Sequence, residues 1–347
     1  MTQTPAYAAF EAKGEVRPHR IERRAVGPHD VALDITHCGV CHSDLHFVND
    51  DWGMSTYPLV PGHEIVGRVR EVGEAVTRFA PGDRVAVGCL VDSCGHCEAC
   101  ADDEEQYCRN GFTLTYCSPT EDPGGFTYGG YSKAIVVKDD FVLRVPDSLD
   151  PAGAAPLLCA GITTYSPLRR FAIGPGKTVG VVGLGGLGHM GVKFASAMGA
   201  RTVMITRSPD KGEDATRLGA DEVLVSTDAD AMKRATGRFD FILNTIPVPH
   251  DVNPYQKLLR YKGAQCLVGV LEGVPGLDTG TMIFGGSILV GSPIGGLKET
   301  QEMLDFCGEH GITADVEVIR MDQINEAYRR MQRSDVRYRF VIDAETI

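Results

Sequence analysis

The chain has 347 residues, of which 43% are hydrophobic and 23% charged; at roughly 150 residues per domain this predicts two globular domains, each with its own core. With 34 Lys and Arg against 46 Asp and Glu, the formal charge of −12 argues against general affinity for nucleic acid or anionic membrane, because both depend on cationic surface. No apolar run between Met1 and Asp30 reaches the roughly seven residues of a signal peptide, and the stretch Thr178 to Val192 is glycine-broken and shorter than the roughly 18 apolar residues of a membrane span. A soluble cytoplasmic protein is expected.

In chain order, the first half reads as short strands and turns. Val31 to Thr36 alternates at period two, Ile65 to Val72 is strand-like and ends at Gly73, and Arg84 to Val87 follows a Pro-Gly-Asp turn. This is the pattern of an irregular β domain. From about Lys177 the pattern becomes strand, glycine turn and helix, repeated. Apolar runs at Thr178 to Val182, Arg201 to Thr206, Glu222 to Val225, Phe239 to Asn244, Ala264 to Val270 and Ser287 to Val290 are separated by helix-like stretches such as Gly186 to Met198. Such alternation implies a parallel sheet with crossover helices. Two amphipathic helices, Lys298 to His310 and Asp322 to Gln332, and a strand Tyr338 to Asp343 complete the chain.

The chain has 11 cysteines, and in a reducing compartment clustered cysteines point to metal or catalysis rather than disulfides. Cys94, Cys97, Cys100 and Cys108 form C-x2-C-x2-C-x7-C, a spacing that turns a loop around one tetrahedral Zn²⁺ with all four positions taken by thiolate. A closed ligand set is structural, bracing a lobe from about Val91 to Asn110, with Gly95 supplying the turn between the first two ligands. The remaining cysteines are scattered, and Cys38, Cys89, Cys117, Cys266 and Cys307 carry no assignment.

Gly183-Leu184-Gly185-Gly186-Leu187-Gly188 matches G-x-G-x-x-G after an apolar strand and before a helix. Gly183 allows the tight turn, Gly185 admits a pyrophosphate to backbone N–H groups, and Gly188 lets helix and strand pack closely. An acidic residue at the end of the next strand would bind a ribose 2′-hydroxyl, but that strand ends Thr206-Arg207-Ser208, with Lys211 following. Two hydroxyls and two cations there favour NADP(H), since a single charge-assisted hydrogen bond contributes about 1.5–3 kcal/mol.

A further set is dispersed: Gly39-Val-Cys-His-Ser-Asp44, Pro61-Gly-His-Glu64 and the single Cys159. Together with the four-cysteine lobe and the glycine turn, in this order, these motifs resemble the zinc-dependent medium-chain alcohol dehydrogenases, in their cinnamyl-alcohol-dehydrogenase-like aldehyde reductase branch, over essentially the whole chain. The resemblance implies an α/β fold: a GroES-like irregular β-barrel catalytic domain (1–157 and 293–347) and a doubly wound Rossmann domain (158–292). It implies two zincs per chain, the catalytic one held by Cys41, His63 and Cys159 with an open position. Glu64 would approach that metal, and Asp44 would orient His63. Ser43 would pass a proton onward and His46 would relay it to solvent; His42 is unassigned. Thr163, Val270 and Ser292 would lie near the nicotinamide half of the cofactor and Arg339 near its pyrophosphate.

The implied activity is reversible hydride transfer between NADP(H) and a broad range of aldehydes and primary alcohols. Plant relatives selective for phenylpropenyl aldehydes carry aromatic residues where this chain has Thr113 and Pro293, which argues against a dedicated role of that kind. Trp52 is a candidate pocket wall. Two alternatives are a polyol or sugar dehydrogenase, which would usually carry an acidic residue after the second strand, and a non-catalytic dinucleotide-binding protein, which would lack a ligand or relay group. The resemblance also implies a homodimer, with an edge strand near Ser287 to Val290 able to pair with its mate.

Overall fold

The computed structural model describes every residue except Val270, Leu271, Glu272 and Pro275, and the side chain of Asp210, so the expectation placed on Val270 lies outside the described residues. The chain divides into two compact units, Met1–Ile162 with Gly295–Ile347, and Thr163–Ile294. The division falls inside the helix Ala160–Arg170.

The first unit is built on a mixed seven-stranded sheet. Its strands run in the order Val316–Arg320, Arg339–Asp343, Asp30–Val40, Ile65–Val72, Arg84–Val87 and Leu143–Arg144, and Ala134–Lys138 also pairs with Asp30–Val40. Ile65–Val72 and Arg84–Val87 form with the expected bounds. The strand expected at Val31 to Thr36 extends to Val40, because its continuation pairs antiparallel with Arg339–Asp343, Phe340 standing opposite Val40. In Ile65–Val72, opposite Asp30–Val40, Ile65 pairs with Cys38. The end of one strand therefore lies beside the start of the other, and this brings distant sequence segments to one place.

The second unit carries a six-stranded sheet, parallel throughout. Its order is Glu222–Val225, Arg201–Thr206, Thr178–Val182, Phe239–Asn244, Leu259–Leu267, Ile288–Gly291. The sequence order reverses beside Thr178–Val182, the switch point at which doubly wound sheets bind dinucleotides. Four of these strands have the expected bounds. Val182, Val203, Ile205, Phe239 and Ile242 pack in one buried cluster, which is why such strands read as continuous apolar runs. The fifth begins earlier than expected: Arg260, Tyr261 and Lys262 are exposed, so no apolar run marks its start. The expected helix over Gly186 to Met198 is observed as Gly188–Ala197. The two late helices are Leu297–His310 and Ile324–Gln332, the second preceded by a 3₁₀ turn at Met321–Gln323.

Candidate active site and metal centres

Strand pairing assembles the dispersed motif. Cys41 directly follows Asp30–Val40 and opens the helix His42–Asn49, while Gly62, His63 and Glu64 lead into Ile65–Val72. Gly39 N–H donates to the Glu64 carbonyl at 2.9 Å, and a Cβ on Gly39 would overlap the Glu64 carboxylate, so only glycine fits there. Cys159 ends the turn Ala155–Leu158, whose Leu158 backbone lies 3.3 Å from a Cβ built on Gly88, just past the strand Arg84–Val87. One ligand atom each from Cys41, His63, Glu64 and Cys159 falls within 4.8 Å of the others.

The electrostatics of this cluster call for a cation. The sulfurs of Cys41 and Cys159 are 3.8 Å apart. That contact holds the Cys41 thiol well below its ordinary value, with His63 and Arg339 assisting against burial, and together with Cys89 it pushes Cys159 well above its own. Burial opposes charge on His63, yet Cys89, Asp44 and Cys41 raise it well above its ordinary value. Burial lifts Glu64 to about 7 against the pull of Arg339. His63 Nε2 and Glu64 Oε2 are buried with no hydrogen-bond partner. Orphaned buried donors and acceptors are costly, and two thiols, an imidazole and a carboxylate match the donor preferences of zinc. The residues present fit the metal.

Around the cluster, Asp44 is fully buried and accepts hydrogen bonds from Cys41 N at 2.8 Å and Gly62 N at 3.0 Å. It therefore holds the backbone of both ligand segments, and its hydrogen bonds go to these N–H groups and to Tyr131 rather than to the His63 ring. Tyr116 stacks on His63, with ring centroids 5.5 Å apart and planes 4° from parallel. Arg339 is buried and ion-pairs with the Glu64 carboxylate. Ser43 Oγ lies 3.7 Å from Cys41 Sγ. His46 Nδ1 meets Asp51 Oδ2 at 2.8 Å, and its ring lies 4.9 Å from that of Trp52. Thr113 is half-buried and Pro293 exposed.

Asp51, Tyr116, Tyr131, Tyr328 and Cys89 are the partners that sequence reasoning missed. Asp51 stood five residues after His46, on a turn that its sequence does not specify. The tyrosines are distant in sequence and fit no motif.

The four-cysteine lobe is compact. Cys97 Sγ lies 3.5 Å from Cys100 and 3.9 Å from Cys108, and Cys94 lies 3.9 Å from Cys100. All four sulfurs fall within 4.8 Å of one another. Gly95 has φ +69, the left-handed turn expected between the first two ligands. Backbone N–H groups, His96 foremost, hold Cys94 down to about 5, and Arg109 N donates to Cys97 Sγ at 3.4 Å. Backbone donors that stabilise thiolate at Cys94 and Cys97 suit zinc, while, against the Ser93 hydroxyl, burial and the Cys97 and Cys108 sulfurs push Cys100 up to about 11.

In the second unit, Gly183 has φ +92, and a Cβ on Gly188 would overlap the Gly183 carbonyl. A Cβ on Gly185 would meet nothing within 4 Å, which leaves open space above the turn. The segment after the second strand folds against that turn. Lys211 Nζ donates to the Leu184 carbonyl at 3.2 Å, and Ser208 N donates to Thr206 Oγ1 at 3.1 Å, while Arg207 is exposed. Thr163 and Ser292 are buried. The turn, the open space and the cations fit a dinucleotide with a 2′-phosphate.

Residues 27–147 match the Alcohol dehydrogenase GroES-like domain family and residues 186–309 the Zinc-binding dehydrogenase family. The chain is 55% identical over 345 residues to "Aldehyde reductase YahK" of Escherichia coli, covering 99% of this chain and 98% of that one. A cinnamyl alcohol dehydrogenase from Sorghum bicolor superposes with a TM-score of 0.95 at 46% identity, over 99% of this chain and 98% of that one. A structure of CAD from Helicobacter pylori complexed with NADP(H) superposes with a TM-score of 0.91 at 40% identity, over 99% of both chains. Domain matches on both sides of the chain, end-to-end similarity and two sets of zinc-type ligands agree, and the chain belongs to the zinc-dependent medium-chain alcohol dehydrogenases, in their cinnamyl-alcohol-dehydrogenase-like branch.

Proposed function

We propose that the protein is an NADP(H)-dependent aldehyde reductase, reversible as an alcohol dehydrogenase, with a broad range of aldehydes and primary alcohols as substrates. The observation that carries this reading is the buried cluster of Cys41, His63, Glu64 and Cys159, with His63 Nε2 lacking any protein partner. Cys41, His63 and Cys159 would hold the catalytic zinc, and Cys94, Cys97, Cys100 and Cys108 the structural one. When bound, zinc supplies Lewis-acid polarisation of the substrate oxygen and NADP(H) supplies or accepts the hydride.

This chain's own residues supply the rest. Ser43, beside a metal ligand, is the hydroxyl through which a proton enters or leaves the substrate oxygen. His46 accepts that proton for transfer to solvent, and Asp51 at its Nδ1 fixes the tautomer that leaves Nε2 to exchange. Trp52, packed over the His46 ring, forms one wall beside the relay. Arg339 ion-pairs with Glu64 and opposes the burial that pushes that carboxyl up, and we assign it to the cofactor pyrophosphate as well. The glycine turn Gly183 to Gly188 takes the pyrophosphate, Thr206, Arg207, Ser208 and Lys211 take the 2′-phosphate, and Thr163 and Ser292 face the nicotinamide half. The cations after the second strand disfavour a polyol dehydrogenase of the NAD type.

Two further assignments belong to this reading. The strand Ile288–Gly291 is the last of its sheet, and Ile283 and Phe284 beside it are 74% and 94% exposed; a second copy of the chain, pairing edge to edge, would cover them, making a homodimer. All 11 cysteines are free, as in the reducing cytoplasm, and none of the described helices is long and apolar enough to cross a membrane.

The test is elemental analysis of the purified protein together with NADPH and NADH oxidation across a panel of aliphatic and aromatic aldehydes. About two zincs per chain with NADPH-selective turnover is the expected result. Two zincs without turnover on any aldehyde would overturn the reductase reading.

A further inference from the structure

A chain of buried phenols ends on the carboxylate that holds the metal-ligand segments. Tyr328, on the helix Ile324–Gln332, donates its O–H to the Tyr131 hydroxyl at 3.3 Å, and Tyr131 donates to Asp44 Oδ2 at 3.3 Å. Tyr131 is fully buried and Tyr328 5% exposed, so both lie away from bulk solvent. The same Asp44 Oδ2 accepts from Cys41 N, and Oδ1 accepts from Gly62 N, the residue before His63. The direction of each bond is fixed. A carboxylate only accepts, so the Tyr131 proton must point at Asp44, and the Tyr131 oxygen is then the acceptor for Tyr328.

Tyr131 has a second hold on the same turn. Gly62 has φ +101, and a Cβ there would sit 2.7 Å from the Tyr131 ring on one side and 2.7 Å from Cys38 Sγ on the other. Ring and hydroxyl of one side chain therefore fix both the position of Gly62 and the carboxylate to which its N–H is tied.

We propose that Tyr131 is a positioning residue for the metal centre, acting through Asp44, and that Tyr328 sets the direction of its hydroxyl. Removing the Tyr131 hydroxyl takes one of three donors from a buried carboxylate and loosens the two backbone segments that present Cys41 and His63. Supporting partners of this kind commonly alter metal affinity by about 10- to 100-fold when lost. The inference rests on the reading of Cys41, His63 and Cys159 as zinc ligands.

The experiment uses full-length zinc-loaded protein, wild type and the variants Tyr131→Phe and Tyr328→Phe, with zinc release followed by capture in the chelator 4-(2-pyridylazo)resorcinol. The four-cysteine site is the internal control, because neither tyrosine touches it. Tyr131→Phe is expected to release one of two zincs about tenfold faster or more, leaving the other phase unchanged, with Tyr328→Phe in the same direction but smaller. In cobalt(II)-substituted protein, Tyr131→Phe should also shift the visible bands of the catalytic-site cobalt, which a purely structural loss would leave in place. Wild-type release and an unchanged cobalt spectrum in both variants would overturn the proposal, as would equal acceleration of both phases. A wild-type chain that holds only the four-cysteine zinc would instead overturn the ligand reading beneath it.

Discussion

In the proposed reading, cofactor choice rests on two cations with different attachments, and this separates their mutational signatures. Arg207 is exposed just beyond the second strand of the dinucleotide-binding sheet, whereas Lys211 is tied to the Leu184 carbonyl inside the glycine turn at 3.2 Å. A charge-assisted hydrogen bond to a 2′-phosphate is worth about 1.5–3 kcal/mol; at about 1.4 kcal/mol per decade that is roughly 10- to 150-fold. Arg207→Ala should therefore lower kcat/KM for NADPH by a factor in that range and leave NADH nearly unchanged, since NADH offers the guanidinium nothing to bind. Lys211→Ala should lower NADPH similarly but also reduce NADH a few-fold, because the lost ammonium frees the turn that holds the pyrophosphate. The assay is initial-rate kinetics with both cofactors against one saturating aldehyde, at low and high salt. Screening by about 0.5 M salt should shrink the Arg207 effect, an exposed contact being salt-sensitive. An NADPH to NADH ratio that neither substitution changes would refute the phosphate-pocket argument.

Other expectations follow from the same geometry. Cys159→Ala should abolish turnover while NADPH still quenches protein fluorescence with near wild-type affinity, because the glycine turn is untouched; full residual turnover would contradict the ligand assignment. Cys100→Ala should lower the melting temperature measured by calorimetry and leave about one zinc per chain, as a closed four-thiolate site contributes to folding. Gly39→Ala should cost about 1–3 kcal/mol in urea unfolding, since its Cβ would displace Glu64 from Arg339. Burial pushes the Asp30 carboxyl up, but the Arg24 guanidinium and Gly27 N–H outweigh it and hold it below its ordinary value of 3.8. A depressed carboxyl stabilises the fold above its unfolded value and loses that contribution as pH falls through the folded one. Asp30→Asn should thus be less stable by about 2 kcal/mol at neutral pH, with the deficit narrowing once the pH drops below about 4; a deficit independent of pH would count against the ion pair.

What the sequence discloses depends on how locally each feature is encoded. The four-cysteine lobe is legible because all its candidate ligands lie within fifteen consecutive residues, Cys94 to Cys108, and the inner strands Thr178–Val182, Arg201–Thr206 and Phe239–Asn244 are legible because burial on both faces forces apolar runs. Ala264 to Val270 misplaces its strand for the converse reason: Leu259–Leu267 starts with exposed Arg260, Tyr261 and Lys262, and pairing with neighbours, which leaves no apolar trace, defines that end. The proposed catalytic cluster is legible only as a resemblance. The physical event that unites Cys41 with His63 is the register Cys38 opposite Ile65, and nothing in either segment states that register. Arg339 shows the limit most clearly. The resemblance implies a place near the cofactor pyrophosphate; Phe340 opposite Val40 sets it level with Cys41, and Glu64 lies on the neighbouring strand's threshold, so its immediate partner within the protein is that carboxylate. Asp44 follows the same rule. The resemblance implies that it orients His63, and in the structure helix geometry turns its carboxylate to the Cys41 N–H while the strand register supplies Gly62 N–H. The motif therefore carries the ligands in its side chains and their alignment in backbone hydrogen bonds, and the second half becomes visible only when three strands are paired.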